Sequence, residues 1–591
     1  LKLLRMDEPA LESPNVQGAL ERLGIDAAQL DVAITVLDAV ASNKEVLHHA
    51  ELRRLRKAVI PLVEALGSRL PNLSKLTAAE RREAEKANKR ARNMKIAAAD
   101  RQAEMKSTLR RGRQQQLEAM MLRNGSDIPM IPDGPAPSCT ASLEDQQQVE
   151  AEAAELHRPK TCYIGHCKQK FTKLHHYYAR LCPVCAALNW EKRLDVCDMQ
   201  GRVCLVTGAR VKIGFQIALK LLRNGASVLC TSRFPRDTAR RFAEVEDAKL
   251  WIDRLSVFGL DLRFLGLVHG FADFLTATFL DGIDCVIHNA CQTIRRPTCF
   301  YKHLWEIEQE VDLCDVALAN QAKEVLTRSD ERWHRHLAGA ARPVSPRALQ
   351  DPQGFSVTRA ELSVASEETG SRSCPIADPR TAEPHVISAA AAKPVRWATA
   401  ALSALEVTDE DKQDWTVSAF DVNEQAIDLR TRNSWTLKLE DVETPELVEV
   451  LTINSMAPFI LNGRLKSLLQ RSRFEDRYII NVSAMEGKFY RAKQPTHPHT
   501  NMAKAALNMM TRTSAQAYAA DGIFMNAVDT GWINDENPLP TANRIAQTTG
   551  FQTPIDELDA ASRVVDPIFV GIKDGVRPFG RFFKDYRETE W

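Results

Sequence analysis

Residues 203–222 read VCLVTGARVKIGFQIALKLL. An apolar β-run over 203–206 ends in Thr207-Gly208, a short loop follows, and Gly214 opens an amphipathic helix. A doubly wound α/β domain builds a nucleotide phosphate site in this way. Backbone N–H groups and the positive end of the helix face the pyrophosphate, and small residues let it approach. Glycine-rich strand-to-helix turns also serve as plain packing turns, and this one carries Lys212 where the motif has its middle glycine. Support comes from further along. Residues 226–231 (ASVLCT) read as a second buried strand, followed by Ser232-Arg233. Residues 257–262 (VFGLDL) read as a third, and 283–287 as a fourth that runs into His288-Asn289-Ala290-Cys291. Strands and helices alternating at this pitch predict a parallel sheet with right-handed crossovers.

These motifs resemble those of the short-chain dehydrogenase/reductase family, which has a Rossmann-like α/β fold. TGARVKIG is similar to its TGxxxGxG turn except at Lys212. HNAC is similar to its NNAG, with Asn289 and Ala290 retained. Asp261-Leu262 stands where the family has an Asp that contacts adenine. Asn454, in LTINSMAPF, stands at the family's catalytic-site Asn, and YIINVS ends on its active-site Ser, here Ser483. Lys504, in NMAKAALN, matches the Lys of YxxxK, and 526–531 stands where the family has NxVxPG. The resemblance covers about half the chain, over 201–308 and 442–591. It implies an oxidoreductase of unknown carbonyl or alcohol substrate, with Thr207, Gly208, Arg210, Lys212, Ile213, Gly214, Asn289, Ala290, Thr530 and Gly531 around the cofactor. It also implies a homo-oligomer. Within the family, the chain resembles a divergent subgroup that carries a cysteine knuckle and lacks the active-site Tyr.

The departure lies four residues before Lys504, where Thr500 replaces that Tyr. In the family the Tyr is the general acid or base. The Lys lowers its pKa and holds the ribose, the Ser orients the carbonyl, and the Asn holds a water relay. A phenol titrates near ~10, within reach of a neighbouring ammonium, and an aliphatic hydroxyl does not. The loop between Ser483 and Thr500 offers Tyr490, His497 and His499 as substitutes, and His499 is nearest to the vacated position. The alternative is a nucleotide-binding pseudoenzyme that acts as a scaffold or redox sensor.

An acidic residue ending the second strand would accept the ribose 2′-OH of NAD. Here that strand ends in Ser232-Arg233, and a hydroxyl and a guanidinium suit a 2′-phosphate. NADP is therefore expected over NAD, and Lys212 adds charge of the same sign.

A second island lies at 160–193, with Cys162-x4-Cys167-x14-Cys182-x2-Cys185. A CxxC turn with a second Cys pair at loop distance predicts a closed tetrahedral zinc site, structural in role because four thiolates leave no vacant position. His166, His175 and His176 are nearby alternatives for one ligand. The remaining nine of 13 Cys show no disulfide-framework spacing, which favours a reducing, cytoplasmic setting. The chain starts at Leu1, so organelle targeting stays open. No apolar run approaches the length of a membrane span. The net charge of +1 gives no overall reason to expect nucleic acid as a partner.

The expected organisation is a helical region over 1–123, a linker over 124–158 passing into an acidic helix, and a zinc module over 159–195. The α/β domain occupies 199–299 and 440–591, split by an insertion over 300–439. Within the first region, 16–70 reads as a small helical bundle. Residues 75–123 hold fourteen Lys/Arg against six Asp/Glu and read as one long exposed basic helix. Within the insertion, 300–328 reads as helical and 342–394 as largely disordered. The ordered ends of the insertion leave and rejoin the sheet where a substrate lid would sit.

Overall fold

The computed structural model describes residues 78–115, 154–309, 316–340, 411, 420–421, 423–489, 492–534, 536–549 and 551–591. The expected bundle at 16–70, most of the linker, the stretch 342–394 and Tyr490 lie outside them. The chain forms two units, Leu1–Lys95 and Ile96–Trp591. Helix α1 (Ala78–Met105) runs through that boundary. It is exposed over 89–95, as a basic arm should be. The expectation of a single long exposed helix fails beyond this point. The helix breaks at Lys106-Ser107, and the next helical stretch, 108–115, buries Leu109, Arg110 and Arg113.

A small antiparallel ribbon comes next, β1 (Glu155–Thr161) paired with β2 (Lys170–Lys173), and then α2 (Pro183–Leu194). Residues 155–157, expected to end an acidic helix, belong to β1. His157 N–H donates to the Asp100 carboxylate at 2.6 Å and ties the ribbon to the preceding helix.

The main sheet has eight strands. In chain order they are β3 (Val203–Thr207), β4 (Ser227–Ser232), β5 (Leu255–Gly259), β6 (Cys285–His288), β7 (Arg477–Ser483), β8 (Ile523–Asp529), β9 (Phe582–Lys584) and β10 (Arg587–Thr589). Their spatial order is β10-β9-β8-β7-β6-β3-β4-β5, parallel except for β10. The doubly wound parallel sheet is thus observed. The chain steps from β3 outward to β5, then returns to the other side of β3 with β6. The crevice at the carboxyl ends of β3 and β6 is the switch point where such sheets bind ligands. The third strand ends earlier than expected. Asp261 accepts the Arg263 backbone N–H at 3.0 Å, and this local turn takes the chain out of the ladder.

Alternation along the strands sends Val206, Cys230 and Ile287 to one core and Leu205, Leu229 and Val286 to the other. On the first face lie α3 (Lys212–Arg223) and α13 (Glu557–Asp574), which follows α12 (Leu539–Thr549) in the chain, with α4 (Pro235–Ala243) beside them. On the second lie α5 (Leu265–Thr278), α10 (Ala457–Gln470) and α11 (Pro498–Ala519). The first part of the insertion completes this architecture. After α6 (Lys302–Gln309), α7 (Val316–Arg328) places Val325 in the first core and α8 (Asp330–Ala340) places Trp333 in the second. The turn between α7 and α8 closes the sheet edge at β5. Val257 N–H donates to Ser329 Oγ at 3.0 Å, Gly259 N–H donates to Asp330 at 2.7 Å, and Trp333 Nε1 donates to Gly259 O at 2.9 Å. An edge strand saturated by side chains offers no template for pairing with another chain. No described helix is long and apolar enough to cross a membrane.

Candidate functional site

The β3–α3 turn is built by close approach. Gly208 has φ +70°, and a Cβ there would lie 2.9 Å from Ala290 Cα. At Gly214 a Cβ would lie 2.2 Å from Gly208 O and 2.4 Å from Asn289 Nδ2. Both glycines are required by packing against the β6 end. Asn289 Nδ2 donates to Thr207 O at 3.2 Å and Gly208 O at 3.1 Å, and Ala290 N–H donates to Thr207 Oγ1 at 3.1 Å. Lys212, at the position of the missing glycine, keeps a left-handed backbone with φ +55°. No side chain caps the N-terminus of α3, so its first amides stay directed at the crevice. These donors and glycines fit a dinucleotide pyrophosphate. Arg210 is turned to another use, donating to the buried Asp237 of α4 at 2.8 Å. Burial would raise the Asp237 carboxyl, but Arg210 and Arg241 outweigh it and hold the carboxyl well below its ordinary range.

At the carboxyl ends of β4 and β5 the structure brings together more cations than the sequence indicated. Ser232 is buried and accepts from Phe234 N–H at 3.0 Å. The Arg233 guanidinium lies 4.5 Å from the centre of the Tyr301 ring. Burial pushes the Tyr301 phenol up, and the charges of Arg233, Arg296 and Arg263 outweigh that and bring it below its ordinary value. Asp261 is buried and paired with Arg263 at 2.7 Å, beside buried Leu262. Its carboxylate is therefore shared with a neighbouring side chain.

The other half of the crevice is carried by β7 and α11. Thr500, Lys504 and Asn508 recur at intervals of four on α11, one stripe of a helix, and all three are buried. Lys504 Nζ donates to Val482 O at 2.8 Å, and Ser483 Oγ donates to Asn508 Oδ1 at 2.6 Å. Asn508 was not foreseen, and its spacing from Lys504 was the available signal. Thr500 Oγ1 has no hydrogen-bond partner among the described residues. Asn454 lies in a π-turn, Thr452–Met456, and its side chain clamps the loop after β6. It accepts from Gln292 N–H at 2.8 Å and donates to Gln292 O at 3.0 Å. π-turns interrupt the regular helical ladder and recur at functional sites.

The substitute proton donors separate. His497 caps α11 with φ +46°, stacks on Trp435 at 3.9 Å and meets Trp435 O through Nδ1 at 3.0 Å. It is an anchor for the returning end of the insertion. Tyr490 lies outside the described residues. His499 is 1% exposed, and its Nε2 stands 3.5 Å from Glu446 Oε1 on α9 (Thr444–Leu451). Adjacent helix positions differ by about 100°, so His499 faces α9 rather than sharing the Thr500–Lys504 stripe. Burial would raise the Glu446 carboxyl, but His499 and Ser434 hold it below its ordinary value. Glu446 had no motif to reveal it. At the end of β8, Asp529 accepts Gly531 N–H at 2.9 Å and Met485 N–H at 2.9 Å and pairs with Lys584 at 2.7 Å, which fixes the Thr530-Gly531 loop.

Away from the crevice, Cys162, Cys167, Cys182 and Cys185 place their sulfur atoms within 4.8 Å of one another. All four are free thiols, and Cys167 and Cys182 are 3.6 Å apart. A tetrahedral ion with bonds of about 2.3 Å separates its sulfur ligands by roughly 3.8 Å, so this donor set fits zinc. His166, His175 and His176 are not part of the cluster. His175 Nδ1 instead accepts Tyr177 N–H at 3.1 Å.

Residues 380–570 match the sequence profile of a family described as enoyl-(acyl carrier protein) reductase. That match supports the dehydrogenase/reductase resemblance of the motifs. Among individual proteins, the chain is 27% identical over 423 residues to the uncharacterized protein R665 of Acanthamoeba polyphaga mimivirus. The alignment spans 69% of this chain and 71% of that one. Similar solved structures include a short chain dehydrogenase from Burkholderia cenocepacia in complex with NADP. It has 15% identity and a TM-score of 0.35, over 65% of this chain and 96% of that one. The RhlG/NADP active-site complex of Pseudomonas aeruginosa has 14% identity and a TM-score of 0.35, over 65% and 95%.

Proposed function

We propose that this protein is an NADP-dependent oxidoreductase of the short-chain dehydrogenase/reductase type, acting on a carbonyl or alcohol, with a structural zinc ion in its four-cysteine centre. The observation that carries the reading is the joint arrangement at one crevice. An uncapped helix N-terminus and two close-packed glycines follow β3, and Ser483, Lys504 and Asn508 meet at the end of β7, which is separated from β3 by β6 alone. Arg233, Arg263 and Arg296 around Tyr301 support the phosphorylated nucleotide. NADPH, when bound, supplies the hydride.

In carbonyl reduction the Ser483 hydroxyl, whose one proton goes to Asn508 Oδ1 in the structure, turns that proton to the substrate oxygen. Lys504 stabilises the developing negative charge and the ribose side of the site. Asn454 fixes the loop after β6. His499 faces Glu446 on α9 and not the Thr500–Lys504 stripe, so it delivers the proton that ends on the product oxygen through a bridging water, in place of the missing phenol. A proton-transfer group of this kind contributes about 10²–10⁴-fold.

The second reading is a nucleotide-binding pseudoenzyme, and one observation favours it. Lys504 spends a hydrogen bond on Val482 O, and the hydroxyl before it is an aliphatic one. Calorimetric titration with NADPH and NADH, on protein of known zinc content, tests the nucleotide site that both readings need, and NADPH turnover with carbonyl substrates separates the two. NADPH-selective binding that falls about tenfold in Arg233→Ala is expected. Turnover that survives in His499→Gln rejects the proton assignment. Binding of neither nucleotide by folded protein rejects the oxidoreductase.

A further inference from the structure

The four-cysteine module shares its core with the α/β domain. Its buried residues, Ile164, Tyr177, Tyr178 and Leu181 among them, form one apolar cluster with Ile533, Ile555 and Ala560. Ile213 of the phosphate turn packs against the same cluster. The module is also bonded to both ends of the segment 531–556. At its start, Trp532 N–H donates to Tyr163 Oη at 2.8 Å, and Tyr163 directly follows Cys162 in the chain. The same phenol oxygen lies 3.5 Å from where a Cβ on Gly531 would sit. At its end, Tyr177 donates to Asp556 at 2.6 Å, and Arg193 reaches Asp556 at 2.7 Å and Asp559 at 3.1 Å. Near its start the segment also meets the phosphate turn, where the Asn534 amide, with its oxygen turned to the cation, accepts from Lys212 Nζ at 3.3 Å.

We propose that Tyr163 is a positioning residue of the dinucleotide site, and that the metal in the four-cysteine centre governs nucleotide affinity through it. The proposal rests on the NADP reading of the crevice. The coupling follows from how the chain is connected. Loop 162–167 is short; two of the four sulfur ligands hold its ends, Ile164 sits in the apolar cluster, and Cys162 N–H and Tyr163 N–H donate to Gln169 O at 2.8 Å and Arg180 O at 2.9 Å. With the ion bound, the phenol is fixed in space and holds the Trp532 amide, and Thr530-Gly531 is thereby held at the crevice. Without the ion the loop keeps those contacts but loses both sulfur anchors, so the phenol holds the Trp532 amide less firmly and the segment relaxes. Two ligands coupled through one element change each other's equilibrium affinity by the same factor, about 5–150-fold in typical cases.

The experiment uses the full chain loaded with zinc, and Tyr163→Phe, which keeps the ring in the apolar cluster and removes only the acceptor. Hydrogen exchange at the Trp532 amide reads the positioning without any nucleotide. It should quicken about tenfold in the variant, while zinc content and unfolding temperature stay unchanged. The NADPH Kd should rise about 5–10-fold, and removal of zinc from the wild type should raise it by at least as much. Conversely, saturating NADPH should raise the apparent zinc affinity of the wild type and not of Tyr163→Phe. Unchanged Trp532 exchange, or an unchanged NADPH Kd in both the variant and the zinc-free protein, overturns the proposal. A wild type that exchanges as expected but binds no NADPH overturns the nucleotide reading instead, and with it the affinity claim.

Discussion

The two halves of the crevice have diverged in different ways. The β3–α3 half has lost a glycine of its motif and kept its geometry. The β7–α11 half matches the Ser and Lys of the motifs it resembles and carries Thr500 where they have a tyrosine. The first half works through backbone amides and close packing, so Lys212 can stand in for glycine if it accepts φ +55°. The second works through functional groups, and no backbone adjustment turns Thr500 into an acid. A site made of backbone tolerates substitution at a cost in strain, whereas a site made of side chains must recruit a replacement from another position. His499 with Glu446 is the replacement we assign.

The largest expected effect comes from breaking the side-chain half alone. Ser483→Ala removes the hydroxyl that Asn508 orients, and kcat should fall about 10²–10³-fold, as for loss of one preorganised donor. The NADPH Kd should stay within about twofold, since phosphate binding lies in the other half. Steady-state kinetics beside calorimetry checks this. A parallel loss of affinity would mean that the two halves are not separable.

A second test uses acidity. Glu557 opens α13, is buried, and its Oε2 has no partner among the described residues. Burial and the neighbouring Asp556 push its carboxyl from 4.5 up to about 7, against Arg113 and Lys212, which lower it. Lys212 links it to the backbone-built half. Because the folded value is the higher one, the native state holds the extra proton between pH 4.5 and about 7. Stability therefore falls as pH rises through that window, by up to ~3 kcal/mol for this group. Glu557→Gln should be more stable than wild type above pH 7 by up to ~3 kcal/mol, and the difference should vanish near pH 4.5. Denaturant unfolding across the window measures it. A difference that does not vary with pH would remove Glu557 from the account.

Gly214→Ala tests the backbone-built half. The new Cβ meets Gly208 O and Asn289 Nδ2, and neither can give way without moving the turn. A loss of ~2 kcal/mol in stability is expected from such overpacking. NADPH affinity should fall about 30-fold or more, equivalent to ~2 kcal/mol at the site. The zinc content should not change. Retained affinity would show that the turn packs the sheet and binds no nucleotide.

How far the sequence could be read depends on the range of each interaction. The β3–α3 turn, the strand pitch and the four cysteines are patterns within a few tens of residues, and all three are visible in order along the chain. Contacts between segments that carry no motif of their own were not. Nothing in ELHRPKT shows that it pairs with KFTK and docks through the Asp100–His157 bond, nor that Ser329, Asp330 and Trp333 saturate β5. In the basic arm the charge pattern misleads past residue 95, because charge along a helix reports solvation only when nothing packs on it. Arg113 is buried, and its Nη2 donates to Ile555 O at 2.8 Å. Glu446 and Asn508 were missed for opposite reasons. Glu446 meets His499 only through tertiary packing, whereas Asn508 sat in plain view, one helical turn after Lys504.

The smallest effect is the most discriminating. Lys212→Gly relieves a left-handed backbone that costs a non-glycine residue about 1 kcal/mol, and it adds unfolded-state freedom worth a loss of about 0.5–1 kcal/mol. The two nearly cancel, so stability should change by less than ~0.5 kcal/mol. Nucleotide affinity should not follow stability. If position 212 acts only through its backbone, glycine improves the turn and the NADPH Kd is unchanged or lower. If the ammonium also acts, as its proximity to Asn534 and the 531–556 segment implies, the Kd should rise about threefold at low salt. That increase should shrink toward nothing at high salt, because charge–charge terms at a partly exposed site are screened. We expect the second outcome. A salt-independent Kd equal to wild type would place all of the function of this turn in its backbone, and would make the contrast between the two halves of the crevice complete.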